Sequence, residues 1–236
     1  MPKRLSLFAL LLLWPCALLQ SQELNLNPEK VIPLPKTDLV RVEELVLQAE
    51  ENYKAMSDEE KAIVDLAEMD EVLTHFYGVG CSWYCGGWVE SIAASSSLSN
   101  KYPADNAHDF SITTAWVEGV DGNGVGEWLT YSFSSACPWI THIAILNGYT
   151  KTASAWKNNG RVKTMRLYYA NKPYAILHLK DTRNLQMFNV GKLGNFQNSD
   201  APELWTLKFE ILDVYPGEKY QDTAITELYF DGENVH

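Results

Sequence analysis

The segment 205–211 alternates strictly, with Trp205, Leu207, Phe209 and Ile211 on one side and Thr206, Lys208 and Glu210 on the other. A period of two places the apolar set on one face of a strand, and that face needs a covering layer. The same texture fills the chain after Gly78. Short aromatic and β-branched runs at 127–133, 141–147, 162–169, 175–179, 204–212 and 225–230 are separated by Gly, Asn and Asp. Short strands punctuated by turn residues, with no fixed repeat, predict an all-β sandwich and exclude solenoids and propellers. The connections 119–126 and 191–202 are long for a sandwich, and such loops usually carry binding.

Before Gly78 the period is helical. Leu39, Val42, Val46, Ala49 and Tyr53 form one stripe, and Ile63, Leu66, Ala67, Leu73 and Phe76 a second. Ser57 followed by Glu60 is a capping box that opens the second helix. The segment 38–77 therefore reads as a helical hairpin, whose stripes pack on each other or on the neighbouring domain more often than they await a partner. Residues 22–37 are polar and carry Pro28, Pro33 and Pro35, which predicts an extended linker.

Lys3 and Arg4 followed by an apolar run to Leu13 and a weak cleavage site near Ser21 form a secretory signal peptide over 1–21, too short to span a bilayer as an anchor. The bulky Leu13, Trp14 and Pro15 disfavour lipidation of Cys16. The expected location is secreted or periplasmic. Cleavage takes the formal charge from −11 to −13, which repels phosphate backbones and anionic lipid, so nucleic acid is not an expected partner; no later run is apolar enough for a transmembrane helix. Export leaves Cys81, Cys85 and Cys137, an odd set that allows one intramolecular disulfide; Cys81 and Cys85 are close enough to form it if the segment turns. Zinc needs a fourth ligand at finger spacing, which is missing.

With 46% hydrophobic content, 236 residues can bury one sizeable core. The segment Asn106-Ala107-His108-Asp109-Phe110-Ser111-Ile112-Thr113-Thr114-Ala115-Trp116 resembles the Asn-Ala-x-Asp-Gly-x-x-x-Thr-x-Trp stretch of discoidin-like and galactose-binding-like modules. The resemblance implies a loop curled around a structural Ca²⁺, with Asp109, Thr114 and, from the last strand, Glu227 as ligands. A hard cation takes six to eight oxygens, many of which a tight loop can supply from its backbone. Phe110 stands where the family has Gly. Without a metal, Asp109 and Thr114 cap turns.

Six further stretches in order carry a narrower resemblance: Trp83-Tyr84-Cys85-Gly86-Gly87, Ala115-Trp116-Val117-Glu118-Gly119, Gly124-Val125-Gly126-Glu127, Asn147-Gly148-Tyr149, Asn159-Gly160-Arg161-Val162-Lys163 and Phe209-Glu210-Ile211-Leu212-Asp213-Val214-Tyr215. Together they are similar to the NADase-type glycan-binding domain, named after the translocation domain of a streptococcal NAD-glycohydrolase. This implies a galactose-binding-like jelly roll over 78–236 that binds glycans without hydrolysing NAD, an activity of a separate domain in the namesake.

For recognition, a sugar wants an aromatic face and planar polar groups that pair with vicinal hydroxyls. The loop 147–161 holds Asn147, Tyr149, Lys151, Trp156, Asn158, Asn159 and Arg161. Either these residues meet a ligand, or Trp156 packs the loop down and Arg161 pairs with an acid such as Glu118 or Glu127. Asp105, Asp109, Glu118, Glu127, Glu210 and Glu227 are hydrolase acids by residue type alone; a glycosidase needs two of them facing one sugar ring. His75, His108, His142, His178 and His236 share no metal spacing, and no nucleophile elbow or Gly-rich phosphate loop occurs. The reading is a glycan-binding module, with a protein-interaction module as the alternative and a glycan-processing hydrolase as a third.

Overall fold

The computed structural model describes residues 22–70, 72–74 and 82–232. The signal-peptide segment, Phe76 and Cys81 lie outside the described residues, and with Cys81 so does the Cys81–Cys85 pairing.

The jelly roll has two layers joined at one seam. One layer contains β3 (Ser91–Ala94), β5 (Trp128–Ser134), β10 (Leu204–Tyr215), β7 (Gly160–Tyr169), β8 (Lys172–His178) and β1 (Leu24–Leu26), in that order across the sheet. The other orders β2 (Lys30–Ile32), β9 (Leu185–Leu193), β6 (Ile140–Asn147) and β11 (Thr223–Gly232), with β4 (Trp116–Val117) also on β11. At the seam Thr223 and Ala224 pair in parallel with Gly160 and Arg161, so hydrogen bonding passes from β11 into β7.

Alternation puts Tyr131, Phe133, Met165, Leu167, Leu207 and Phe209 of the first layer against Ile143, Ile145, Phe188, Leu228 and Phe230 of the second, in one buried core. Phe230 sits at its centre, edge-on to Phe133 at 4.9 Å and to Tyr131 at 5.1 Å, the geometry ring quadrupoles favour.

Both faces of the second layer are covered. Ala144, Leu146, Leu185 and Tyr229 turn away from the core and join Leu39, Val42, Val46, Ala67 and Leu73 in a second cluster. These last residues belong to α1 (Leu39–Asn52) and α2 (Asp58–Met69), except Leu73, which lies just beyond α2. The hairpin therefore roofs the sheet. Its ends are built locally: Asp38 Oδ1 accepts from Val40 N at 3.1 Å, and Ser57 and Glu60 form the reciprocal box, Glu60 N donating to Ser57 Oγ at 3.3 Å and Ser57 N to Glu60 Oε2 at 3.0 Å. Each such cap stabilises its helix by about 1 kcal/mol.

The linker expectation is corrected. Residues 22–37 are extended, but β1 pairs in parallel with β8 and β2 antiparallel with β9, so the stretch closes an edge of each layer. Arg166 Nε to Glu23 at 2.9 Å, and His142 Nε2 to Glu29 at 3.0 Å, fasten the two strands. Pro28 and Pro33 lie just outside the paired residues, where a missing N–H costs no ladder bond.

Candidate functional site

Folding divides the 147–161 residues into framework and surface. Asn147 is fully buried: its Nδ2 donates to Val162 O at 2.7 Å, and its Oδ1 accepts from Val162 N at 2.9 Å. The amide thus substitutes for a strand partner and ties the end of β6 to β7, which are not neighbours in the sheet. Trp156 lies on α3 (Ala153–Asn158), capped by Thr152 Oγ1 accepting from Ala155 N at 3.0 Å. Its Nε1 donates to Asn147 O at 2.9 Å.

Arg161 is only 7% exposed. Its Nε and Nη2 donate to the Asp181 carboxylate at 2.8 and 3.2 Å, its Nη1 donates to Asn159 O at 2.9 Å, and its guanidinium lies 4.6 Å from the Trp156 ring centroid. Asn147 and Arg161 are therefore corrected from ligand-facing groups to framework, and the acid that pairs with Arg161 is Asp181, not Glu118 or Glu127. Gly148 makes the packing possible. At φ +82° it is left-handed, and a Cβ there would lie 2.7 Å from Arg161 Cγ and 2.9 Å from Trp156 Cδ1.

Tyr149 and Asn159 instead line a cleft of about 360 Å³ at this end of the sandwich, together with Leu98, Tyr102, Val117, Ala155, Asn158, Tyr220 and Asp222. Lys151 is exposed and, like Trp156, lies off the lining. Tyr102 stands edge-on to Tyr149 at 6.2 Å. Tyr220 is 44% exposed and is positioned by a turn docked on the end of α3: Glu218 N donates to Lys157 O at 2.9 Å, and Tyr220 N to Asn158 O at 2.8 Å. Gly217 permits that approach, since a Cβ there would meet Asn158 O at 2.4 Å. Lys219 Nζ sits 4.9 Å from the Tyr220 centroid. The cleft thus offers three phenol rings, two amides and the Asp222 carboxylate. Sequence reasoning missed Tyr102, Tyr220 and Asp222; the one signal was an aromatic beside a turn, in Lys101-Tyr102-Pro103 and in Pro216-Gly217-Glu218-Lys219-Tyr220.

On the hairpin side lies the 109–114 loop. Thr114 Oγ1 donates to the Asp109 carboxylate at 2.8 and 2.9 Å, and Ser111 N donates to Asp109 Oδ1 at 3.0 Å. Phe110 holds φ +61°, the left-handed conformation a glycine would adopt freely. Its ring packs edge-on to Tyr84 at 5.1 Å and Tyr229 at 5.9 Å, contacts that offset the backbone strain. Glu227 is fully buried on β11, its carboxyl facing the Asp109 carboxylate and the main-chain N–H groups of Asp109 and Phe110, with no well-aligned hydrogen bond on either oxygen. Burial, reinforced by the neighbouring Asp109 charge, pushes its pKa well above the carboxylate range, and burial also raises that of Asp109. Buried carboxylate oxygens without a well-aligned donor, beside a second carboxylate, fit a hard cation. Among the described residues no group of three or more His, Cys, Asp or Glu side chains gathers around one point, so a cation here would draw its remaining oxygens from hydroxyl and main-chain groups.

Other carboxylates are held by the frame. Glu118 is buried, Oε1 accepting from Thr223 N at 3.1 Å and Oε2 from Val120 N at 2.9 Å. Glu127 accepts from Ser95 Oγ at 2.6 Å and from Ser96 Oγ, and Glu210 from Tyr168 OH.

Several solved structures are similar to part of this chain at low identity. The CBM32-1 and CBM32-2 domains of Clostridium perfringens ZmpB match at TM-score 0.47 and 14% identity, over 64% of this chain and 35% of that one. CpGH89CBM32-5, also from Clostridium perfringens and in complex with GalNAc-β-1,3-galactose, matches at TM-score 0.42 and 14% identity over 60% and 94%. Chitosan-binding module 2 from a chitosanase/glucanase of Paenibacillus sp. IK-5 matches at TM-score 0.39 and 10% identity over 60% and 95%. The chain therefore spans about a third of the first of these structures. No curated protein matches the sequence. The family described as NAD glycohydrolase translocation F5/8 type C domain matches residues 83–231, from the Trp83 turn through β11, and the chain belongs to that family.

Proposed function

We propose that the chain is a secreted, non-catalytic glycan-binding module whose sugar site is the Tyr102, Tyr149 and Tyr220 cleft. The carrying observation is the composition of that cleft: aromatic faces at its walls, with Asn158, Asn159 and Asp222 as planar polar groups among them. Sugar C–H faces stack on such rings, while amide and carboxylate groups pair with adjacent hydroxyls. Of the six carboxylates that are hydrolase acids by residue type, Glu118, Glu127 and Glu210 already accept bonds from the frame, which supports a binding role. A Ca²⁺ ion held by Asp109, Thr114 and Glu227 would supply charge neutralisation and a rigid loop, with no part in bond cleavage. Secretion rests on the 1–21 leader.

The test is a glycan array followed by titration of the responding sugars. Oligosaccharides ending in GalNAc, and chitosan oligosaccharides, are the first probes. Binding competed by free sugar and weakened by Tyr220→Ala is the expected result; binding unaffected by both Tyr220→Ala and Tyr149→Ala overturns the site. The second reading is a protein-interaction module. It is favoured by Leu47, Leu66 and Met69, exposed by 53%, 68% and 83% on the hairpin. No response to any sugar, with capture of a protein that is lost when Leu66 and Met69 are made polar, would establish it.

A further inference from the structure

The 109–114 loop is gripped from outside the jelly roll. Alternate residues point two ways. Ile112 is fully buried in the cluster that contains Leu39, Val42 and Val46 of α1, and Phe110 packs against the same cluster. Between them, Ser111 Oγ and Thr113 Oγ1 donate to one oxygen of Glu43 on α1, at 2.6 and 3.0 Å. The Ile112 carbonyl accepts from Thr150 Oγ1 at 3.0 Å, which anchors the loop to the β6 end as well. Asp109 and Thr114, at the loop's two ends, are thus held near Glu227 by a segment whose middle is fastened to a helix. That helix lies before the family-matched residues 83–231.

From this geometry we infer that Glu43 is a positioning residue for the cation loop, and that docking of the hairpin and binding of the cation are coupled. The inference rests on the calcium reading of Asp109, Thr114 and Glu227. A cation that fixes Asp109 and Thr114 restricts the loop, and a restricted loop presents Ser111, Ile112 and Thr113 to α1 in their docked arrangement. Coupling of this kind is reciprocal: whatever the helix adds to cation affinity, the cation adds to helix docking.

The experiment uses the mature chain, with Ca²⁺ as the probe, and reads calorimetric affinity and amide hydrogen exchange. In the parent protein, Ca²⁺ slows exchange at 110–114 and at 39–46 together. Glu43→Ala weakens Ca²⁺ binding by about 5-fold or more, within the usual range of such couplings, and uncouples the helix, so that Ca²⁺ no longer slows exchange at 39–46. Glu43→Gln retains an acceptor for the two hydroxyls and restores most of the protection. In metal-free protein, Glu43→Ala speeds exchange at 110–114 whether or not calcium is the ligand, which decides the positioning role separately. Unchanged exchange at 110–114 in metal-free Glu43→Ala overturns the inference, as does full Ca²⁺ affinity with Ca²⁺-dependent protection of 39–46. A parent protein that binds no Ca²⁺ instead overturns the calcium reading and the coupling, leaving the metal-free comparison to decide whether Glu43 positions the loop.

Discussion

Arg161 stands with its guanidinium 4.6 Å from the centroid of the Trp156 ring while Asp181 accepts from its Nε and Nη2. The pair closes the α3 loop over the end of β6, since the Trp156 indole also donates to Asn147 O. Trp156→Ala should therefore act on stability: about 3 kcal/mol lost, as for a packed ring truncated to a methyl group. Arg161→Ala should cost about 2 kcal/mol, through the lost cation–π contact and the unpartnered Asn159 carbonyl. Urea denaturation alongside sugar titration checks this; a loss of affinity at unchanged stability in either variant would return the pair to the ligand.

Tyr220 carries the opposite expectation. Nearly half exposed and held through its main chain, it can be shortened without opening the core. Tyr220→Ala should leave the melting temperature within a degree or so, as surface substitutions do, and lower sugar affinity by about 1–2 kcal/mol, or 5- to 30-fold. Tyr149→Ala should behave alike in binding but cost some stability, because its ring also packs against Tyr102. Calorimetric titration and a melting curve on each variant decide it.

How far the sequence could be read follows from which faces water covers. The alternation in 205–211 was legible because β10 has one face in the core and one toward solvent. Strand β9 was missed: with Leu185 and Met187 toward the hairpin and Phe188 and Val190 toward the core, period two disappears. Even the polar Gln186 is buried there, its amide paired with both Lys180 N and Lys180 O. The three-residue strands β1 and β2 carry too little pattern to be seen before their partners are known. The 147–161 loop was half legible for a related reason. Its residue types suggested a sugar site, but types do not disclose that Asn147 faces Val162 or that Arg161 meets Asp181. Tyr102 and Tyr220, distant in sequence, reach the cleft only in the fold: Tyr102 packs with Tyr149 on Ala115, Val117 and Ala224, and Tyr220 is placed by the turn docked on the end of α3. Asp109 and Glu227 were linked by the family resemblance alone.

Glu118 gives a pH dependence. Its folded-state pKa is raised, first by burial, despite the N–H donors of Val120 and Thr223. A carboxyl that holds its proton more tightly when folded favours the folded state below its ordinary pKa of 4.5, and that advantage is lost as pH rises from there through the raised value. Comparison with Glu118→Gln isolates the effect. The variant should lack this falling increment above about pH 4.5, yet be less stable by about 1–3 kcal/mol at low pH, because its NH₂ faces a backbone N–H that had an acceptor. Melting curves across the range, parent against variant, should cross or converge toward neutral pH; parallel curves would remove Glu118 as the source.

Cys137 should be inert in the folded protein. Its side chain is fully buried, Sγ lies 3.4 Å from Trp88 O, and burial raises its pKa, all of which suppress the thiolate. A maleimide or iodoacetamide pulse should label it only in denaturant, at a rate that follows unfolding. Prompt labelling under native conditions would mean that the main chain at Trp88, which lies against Sγ, moves away readily.

The cation reading has the sharpest stability signature. Glu227 lies fully buried beside Asp109, with only the poorly aligned main-chain N–H groups of Asp109 and Phe110 facing its oxygens, an arrangement that is unfavourable for the ionised pair and reversed by a bound divalent ion. Ca²⁺ at about 100 times its dissociation constant should add about 2.7 kcal/mol to the unfolding free energy, and chelator should remove it. Glu227→Gln preserves the shape of the side chain but not the charge, so it should fold, match or exceed the stability of the chelated parent, and show no gain with Ca²⁺. Mg²⁺, which requires tighter octahedral geometry and retains its waters, should stabilise the parent far less. Melting curves of parent and variant in chelator, Ca²⁺ and Mg²⁺ separate the outcomes. Equal curves for the parent in all three would leave Asp109 and Thr114 as a turn cap and Glu227 as a protonated buried acid.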